Sequence, residues 1–595
     1  MGQIYNEILM KFLGNLLAAI LGCLIAFGVL FVMSLIFIAL LGGNEDGKTV
    51  KSNSILEIQI QNPITDYVGG DETDPFVGLF QQSQGLDEII HAIKVAKTDD
   101  KIKGISINNN FLIAGYTQTR AIRRVLQDFK ENGKFVYAYA DFYTQKDYYL
   151  ASVADSVFLN IVGDLDFKGL SSEVLFYKAL QEKTGLKMEV IRHGKYKSAV
   201  EPYLVNEMSD ANRTQIKELL SSLWNSIVAE ISENRHLSPE QLNVIADTLG
   251  GRTPQLAKKS NLIDDVLFFD EFESKLKSAS SIAQKDDLNY ISLEDYMVSA
   301  NKKKLYKGDS KIAVIYAQGE ILYGEGSPSI IGQGLINSSL KKAREDSSVK
   351  AIVLRVNSPG GSALTSDIIW REIELTKKIK PVVVSMGDVA ASGGYYIAVG
   401  ADKIFAETTT ITGSIGVFGT IPNGSELAGN IGINAEQVGT NKNSVDYSFF
   451  EPMSDEFRNV VQAGVESTYD TFLSRVSQGR NITVAQADSL AQGRVWSGVD
   501  AMRLGLIDEL GGLEDAITAA AEMVELDSYG IKNFPKYKSG FERFMEDFGG
   551  AKSKIRQDFI KEEIGIEAYA ILKEVKSAME QEGIQARMPF MLRIK

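Results

Sequence analysis

The longest apolar run opens the chain. No charged residue occurs from position 12 to position 43. About 20 apolar residues cross a bilayer, whereas the apolar part of a cleavable signal is only about 7–15 long. The pattern therefore predicts one transmembrane helix over about 14–42, within an anchor region 1–48. Ile20-Leu21-Gly22-Cys23 has some likeness to a lipoprotein site, but leucine fits poorly there and the apolar run continues past it. Lys11 precedes the helix and Lys48 and Lys51 follow it, so charge specifies its orientation only weakly.

Beyond the anchor the apolar runs are short. Positions 351–356 (AIVLRV) and 381–385 (PVVVS) read as strands buried on both faces. Between them, Ile368, Ile369, Ile373 and Leu375 recur at helical spacing over 366–380. The first half of the chain has the same order, with a helix expected over 118–132 and a strand over 135–140. Longer helices are expected over 210–233 and 455–479. Strand–helix–strand order with parallel strands makes this an α/β protein.

The two halves also match residue by residue. At an offset of 247, GISINNN (104–110) aligns with AIVLRVN (351–357), Asp141 with Asp388, Tyr148-Tyr149 with Tyr395-Tyr396, and Phe158 with Phe405. At 245, Gly194 and Lys197 align with Gly439 and Lys442, and Met208-Ser209-Asp210 with Met453-Ser454-Asp455. At 244, Leu262-Ile263-Asp264 meets Leu506-Ile507-Asp508. The body is thus a tandem duplication. The expected organisation is a first repeat over 49–278, a polar connection over 279–308, a second repeat over 309–526, and a charged, helix-prone tail over 527–595.

Composition narrows the chemistry. The 595 residues carry 63 basic and 77 acidic side chains, a net charge of −14, which disfavours nucleic acid as a partner. One cysteine, Cys23, rules out an intrachain disulfide and a cysteine zinc site. Only three histidines are present, His91, His193 and His236, and none lies in the second repeat. No metal and no cofactor is expected.

The repeats differ where chemistry would sit. After its first strand the second repeat reads Asn357-Ser358-Pro359-Gly360-Gly361-Ser362, where the first reads Asn110-Phe111-Leu112-Ile113-Ala114-Gly115. After the next strand it reads Ala391-Ser392-Gly393-Gly394, where the first reads Thr144-Gln145-Lys146-Asp147. Small residues around a serine at a strand-to-helix turn describe an exposed nucleophile. The two loops would lie side by side at the carboxyl ends of adjacent parallel strands. The amides of Gly360, Gly361 and Gly393 would then form an oxyanion hole. With no histidine in the repeat, the base would be a lysine kept neutral by burial. Lys197 and Lys442, equivalent in the duplication, are the two candidates.

The chain resembles the signal peptide peptidase A family in its long duplicated form. The resemblance covers roughly 50–530 and rests on Tyr196-Lys197-Ser198-Ala199-Val200-Glu201-Pro202, Asn357-Ser358-Pro359-Gly360-Gly361, Ala391-Ser392-Gly393-Gly394-Tyr395-Tyr396 and Ile411-Thr412-Gly413-Ser414-Ile415-Gly416. It implies a Ser-Lys peptidase of crotonase/ClpP-like fold. Ser392 would be the nucleophile, Lys197 the general base and Ser414 the residue orienting that lysine. It also implies hydrolysis of signal-peptide remnants, a homotetramer, and a single-pass protein of the bacterial inner membrane with its body on the periplasmic side. By analogy with short relatives, Lys442 would face a neighbouring first repeat in which Gln145 has replaced serine. Two other readings compete: a non-catalytic membrane-tethered ring scaffold, and an acyl-CoA enzyme of the same fold class, which would need neither the serine-lysine pair nor the anchor.

Overall fold

The computed structural model describes residues 2–42, 49–69, 83–441, 443–444, 447–537 and 585–588. Its first element is a 41-residue helix, Gly2–Gly42. Within it Gly14–Met33 has a mean hydropathy of 2.8, and none of that window is buried. Twenty residues at 1.5 Å each span about 30 Å, the thickness of a bilayer's hydrocarbon core.

The body is a tandem α/β duplication. The first sheet runs Asp265–Val266, Ser156–Leu159, Phe135–Ala140, Ile102–Ile107, Ser54–Ile58, Asn289–Ser292, every pair parallel. The second sheet repeats this order around Val382–Ala391, Val349–Ser358, Lys311–Gln318 and Gly530–Phe534. Helices Tyr116–Glu131 and Ala363–Lys377 cross over between equivalent strands. The strands are nearly continuous buried runs, as parallel strands covered on both faces must be. The two 26-residue helices, Asp210–Arg235 and Asp455–Arg480, also correspond. Each begins at a serine whose side chain accepts an N–H of the first turn, and each ends at a left-handed residue, His236 or Asn481.

Both sheets close with a strand from a segment whose sequence reads as polar linker or helical tail. Asn289–Ser292, inside 279–308, pairs with Ser54–Ile58, and the helix Leu293–Ala300 behind it buries Leu293 and Tyr296. Gly530–Phe534, at the start of 527–595, pairs with Lys311–Gln318. These are short edge strands with few buried side chains, which leaves little hydrophobic period to read. A third sheet stitches the halves together. Its order is Ile330–Ile331, Glu320–Ile321, Gly360–Ser362, Gln585–Arg587, Phe418–Asn423, Lys187–Arg192.

Candidate active site

The strand Val382–Ala391 delivers Ser392 at its carboxyl end, and the helix Gly393–Ala398 leads away from it. Ser392 is fully buried and has φ 55° and ψ −114°, a backbone conformation that side-chain-bearing residues rarely adopt. Its amide donates to Gly413 O at 2.8 Å and its carbonyl accepts from Tyr396 N at 2.8 Å. A tight, strained turn of this kind holds a side chain at the mouth of the strand. The loop carrying Gly360 is pressed against it. A Cβ on Gly360, where φ is 99°, would collide with the carbonyl oxygen of Ala586 and come within 2.8 Å of the Gly393 amide nitrogen. Only glycine fits there. The Gly360 amide itself donates to Ser358 Oγ at 3.2 Å.

Lys197 arrives from the first repeat. The strand Lys187–Arg192 pairs antiparallel with Phe418–Asn423 of the second, from Arg192 opposite Phe418 to Lys187 opposite Asn423. The turn that follows is tied down by the Tyr196 amide, which donates to Gln492 O at 2.8 Å. The Lys197 Nζ then lies 2.9 Å from Ser392 Oγ, 2.9 Å from Ser414 Oγ and 3.1 Å from the Ser414 carbonyl oxygen. Lys197 is fully buried and, among the described residues, forms no ion pair. Burial therefore pushes its pKa far below the usual lysine range. Ser414 is buried at φ 52°, its amide donating to Arg494 O at 2.6 Å.

Ser392 is thus brought together with Lys197, Ser414, Gly360 and Gly393, while Gly361, next along the strand Gly360–Ser362, backs onto Ile321. Lys442 lies outside the described residues. Among the described residues, no three His, Cys, Asp or Glu side chains group as a metal site.

Several supporting residues escaped the sequence reading. Ser198 Oγ donates to Asn212 Oδ1 at 2.9 Å, Asn212 Nδ2 donates to Glu201 Oε2 at 2.6 Å, and Gln215 Nε2 donates to Ser198 Oγ at 3.0 Å. Gln215 Oε1 in turn accepts from Val495 N at 3.2 Å. This buried network clamps the lysine turn between the long helix of the first repeat and the second repeat. Its residues flank Lys197 in the Lys-Ser-Ala-Val-Glu-Pro segment and follow Met208-Ser209-Asp210, so proximity to motifs was the available signal. Asp388 also went unremarked as a site residue. Its carboxylate accepts from Thr117 N at 2.8 Å, at the start of the first repeat's crossover helix. Burial, then the Asp66 carboxylate, push its pKa up to about 6.

The chain is similar to known proteins. The profile of Peptidase family S49 matches residues 128–283 and 374–527. Protease 4 of Haemophilus influenzae is 39% identical over 73% of this chain and 72% of its own. The chloroplastic serine protease SPPA of Arabidopsis thaliana is 31% identical over 80% of this chain and 70% of its own. Among solved structures, a ClpP1 mutant from Listeria monocytogenes covers 34% of this chain and 94% of that one, at 16% identity and a TM-score of 0.24.

Proposed function

The chain belongs to peptidase family S49 and is a serine peptidase of the signal peptide peptidase type, and from that premise we propose that Ser392 and Lys197 are its catalytic pair. The observation that carries this reading is the 2.9 Å approach of Lys197 Nζ to Ser392 Oγ in a fully buried site. A neutral amine has one lone pair and two N–H groups. The three oxygens around Nζ match that inventory: the lone pair takes the Ser392 proton, and the two N–H groups go to Ser414 Oγ and Ser414 O.

In the reaction, Ser392 Oγ attacks the substrate carbonyl carbon as its proton passes to Lys197 Nζ. The amides of Gly360, Gly361 and Gly393 receive the oxyanion, the Gly360 amide exchanging its long bond to Ser358 Oγ for it. The leaving amine takes the proton from the lysine. Water, deprotonated by the same lysine, hydrolyses the ester and restores Ser392.

The substrates are cleaved signal peptides and similar hydrophobic peptides, bound in extended form between the strand edges Gly360–Ser362 and Phe418–Asn423. The apolar helix Gly14–Met33 holds the enzyme at the membrane where such peptides remain. The body faces the periplasm of a bacterial inner membrane, and the chain assembles as a homotetramer. The test is a serine-reactive phosphonate probe with mass spectrometry of the labelled peptide. Label on Ser392, lost in Lys197→Ala, supports the pair; label on another serine overturns it.

A further inference from the structure

One turn of the second repeat, residues 491–494, touches both the lysine segment and the Ser414 segment. It runs between the helix Val484–Leu490 and the strand Val495–Ser497. Toward the lysine, Gln492 O accepts the Tyr196 amide at 2.8 Å, and a Cβ on Gly194 would stand 2.6 Å from that carbonyl. A Cβ on Gly493 would stand 2.6 Å from Lys197 Cβ and 2.7 Å from Lys197 Cα and N, closer than a real side chain comes. Toward the serine, Gly493 N donates to Ile415 O at 2.8 Å, and Arg494 O accepts the Ser414 amide at 2.6 Å. The backbone of this turn is thus the spacer between Lys197 and Ser414.

The turn is strained and braced. Gln492 and Gly493 are both left-handed, at φ 55° and 78°. A residue with a side chain keeps that conformation only where its surroundings impose it. Here Gln492 Nε2 donates to Asp488 Oδ1 at 2.6 Å, Tyr469 OH donates to the same oxygen at 2.5 Å, and Gln492 N donates to Tyr469 OH at 3.3 Å. Tyr469 belongs to the long helix Asp455–Arg480 and is buried. The ring of His193 stacks on it at 4.0 Å, so the chain that delivers Lys197 leans on the same brace.

We propose that Gln492 and Gly493 are positioning residues of the reaction, holding the Lys197 amine and the Ser414 oxygens at the spacing at which the amine meets Ser392. This rests on the peptidase reading above. Gly493 seats the lysine, because only a residue without a Cβ lets the Lys197 backbone come so close. Gln492 keeps the turn in its left-handed form through Asp488 and Tyr469. Neither residue touches the reacting atoms. Their effect is on alignment, where a displacement of about 1 Å costs about a hundredfold in rate.

The test measures kcat, KM and the pH profile of kcat/KM on one fluorogenic peptide, with the full chain in detergent. Gly493→Ala should lose kcat about a hundredfold at a KM within about twofold of wild type. The pH at which its kcat/KM levels off should also rise, because burial lowers the amine's pKa and a displaced amine regains water. Gly505→Ala is the control. Gly505 has φ 74°, close to that of Gly493, but a Cβ there meets nothing within 4 Å. It carries comparable backbone strain and should keep the wild-type kcat and profile. Gln492→Ala keeps the backbone contacts and loses the side-chain hold on Asp488 and Tyr469. It should lose kcat about tenfold with its profile moved the same way, and it decides the matter if Gly493→Ala does not fold. Gly493→Ala within threefold of wild-type kcat overturns the proposal, as does an equal loss in Gly505→Ala. A kcat loss with the pH profile unmoved makes the turn merely structural and overturns it too, and so does Gln492→Ala with the kcat and profile of wild type. Wild type that cleaves no peptide overturns the peptidase reading, and the positioning role with it.

Discussion

In each repeat the chain leaves its third equivalent strand and turns into a short helix, Gln145–Ala151 in the first and Gly393–Ala398 in the second. In the first, the position matching Gly394 is Asp147. Its carboxylate accepts from the amides of Phe111 at 2.9 Å and Leu112 at 3.0 Å, and from Asn109 Nδ2 at 2.9 Å. The position matching Ser392 is Gln145, whose Oε1 accepts from Lys168 N and Gly169 N at 3.0 and 2.9 Å and whose Nε2 donates to Gly169 O at 3.0 Å. Lys146, matching Gly393, donates from Nζ to Ala114 O at 2.5 Å. These amides and carbonyls of the corner are thus met by its own side chains. In the second repeat the three matching side chains are a serine hydroxyl and two hydrogens. No carboxylate fills the loop there, where the Gly360 amide donates to Ser358 Oγ, and Ser392 is met by a lysine sent from the other repeat. One architecture thus serves as a closed structural corner or as an open reactive one, according to whether the corner's own side chains satisfy it.

The sharpest way to break this comparison is to remove the lysine that only one corner receives. Ser392→Ala and Lys197→Ala should each lower kcat/KM by about ten-thousandfold or more, and the double variant little further, because the pair acts as a unit. A Lys197→Ala enzyme that keeps a tenth of its turnover on a fluorogenic peptide would show that the corner is reactive without it. Gln145→Ser should create no second reactive serine toward a phosphonate probe, since Asp147 still fills the amides there.

Acidity sharpens the same contrast. Burial lowers the Lys197 pKa, so the free base forms only above that lowered value. The rate should rise about tenfold per pH unit below it and level off above it. Stability follows with a definite sign. The unfolded lysine holds its proton up to about pH 10.4, whereas the folded one has lost it well below that. This contribution is fully present above the unfolded value and is lost as pH falls to the folded one. Lys197→Met, inert as a peptidase, should therefore melt a few degrees above wild type at neutral pH, by a margin that shrinks toward pH 10. Scanning calorimetry across that range checks it.

The closed corner should show the reverse profile. Asp147→Ala leaves the Phe111 and Leu112 amides and Asn109 without their acceptor, which should cost about 1–3 kcal/mol of stability. Peptide turnover should stay within twofold, because no atom of that corner touches Ser392 or Lys197. Denaturant melts and steady-state assays on one preparation separate the two effects.

Much of this was legible in the chain. The parallel strands announced themselves as runs such as 351–356 because both faces are buried, and the duplication fixed which strands correspond. Ser392 stood out because its Gly393 and Gly394 replace Lys146 and Asp147, a contrast visible only across the repeat. Lys197 was not separable from Lys442 by register, since both keep the same place; only the resemblance preferred it. Short strands such as Asn289–Ser292 and Gln585–Arg587 were illegible, because three or four residues hold no period and their pairing is decided by distant chain. The Ser198, Asn212 and Gln215 network was equally hidden, since polar side chains in a sequence do not declare that they will be buried together.

The effect expected to bear least on turnover concerns an aspartate that both repeats retain where the third strand ends. Asp141 is exposed in the first, with Asn160 Nδ2 donating to its Oδ1 at 2.8 Å. Asp388 is drawn in against the first repeat, where the Thr117 amide donates to it and a Cβ on Gly115 would collide with its carboxylate. Burial and then the neighbouring Asp66 raise its pKa to about 6, against the opposing pull of the Thr117 amide and the Arg355 guanidinium. Its folded value is above its unfolded one, so the stability it contributes is complete below about pH 4 and is lost as pH rises through about 6. Asp388→Asn keeps an acceptor for Thr117 N and removes the titration. Wild type should then lose about 3 kcal/mol relative to Asp388→Asn between pH 4 and pH 7, and little further up to pH 8. A difference that is flat over that range would mean that the contact between the repeats does not hold this carboxylate away from water, and that Asp388 and Asp141 are alike after all.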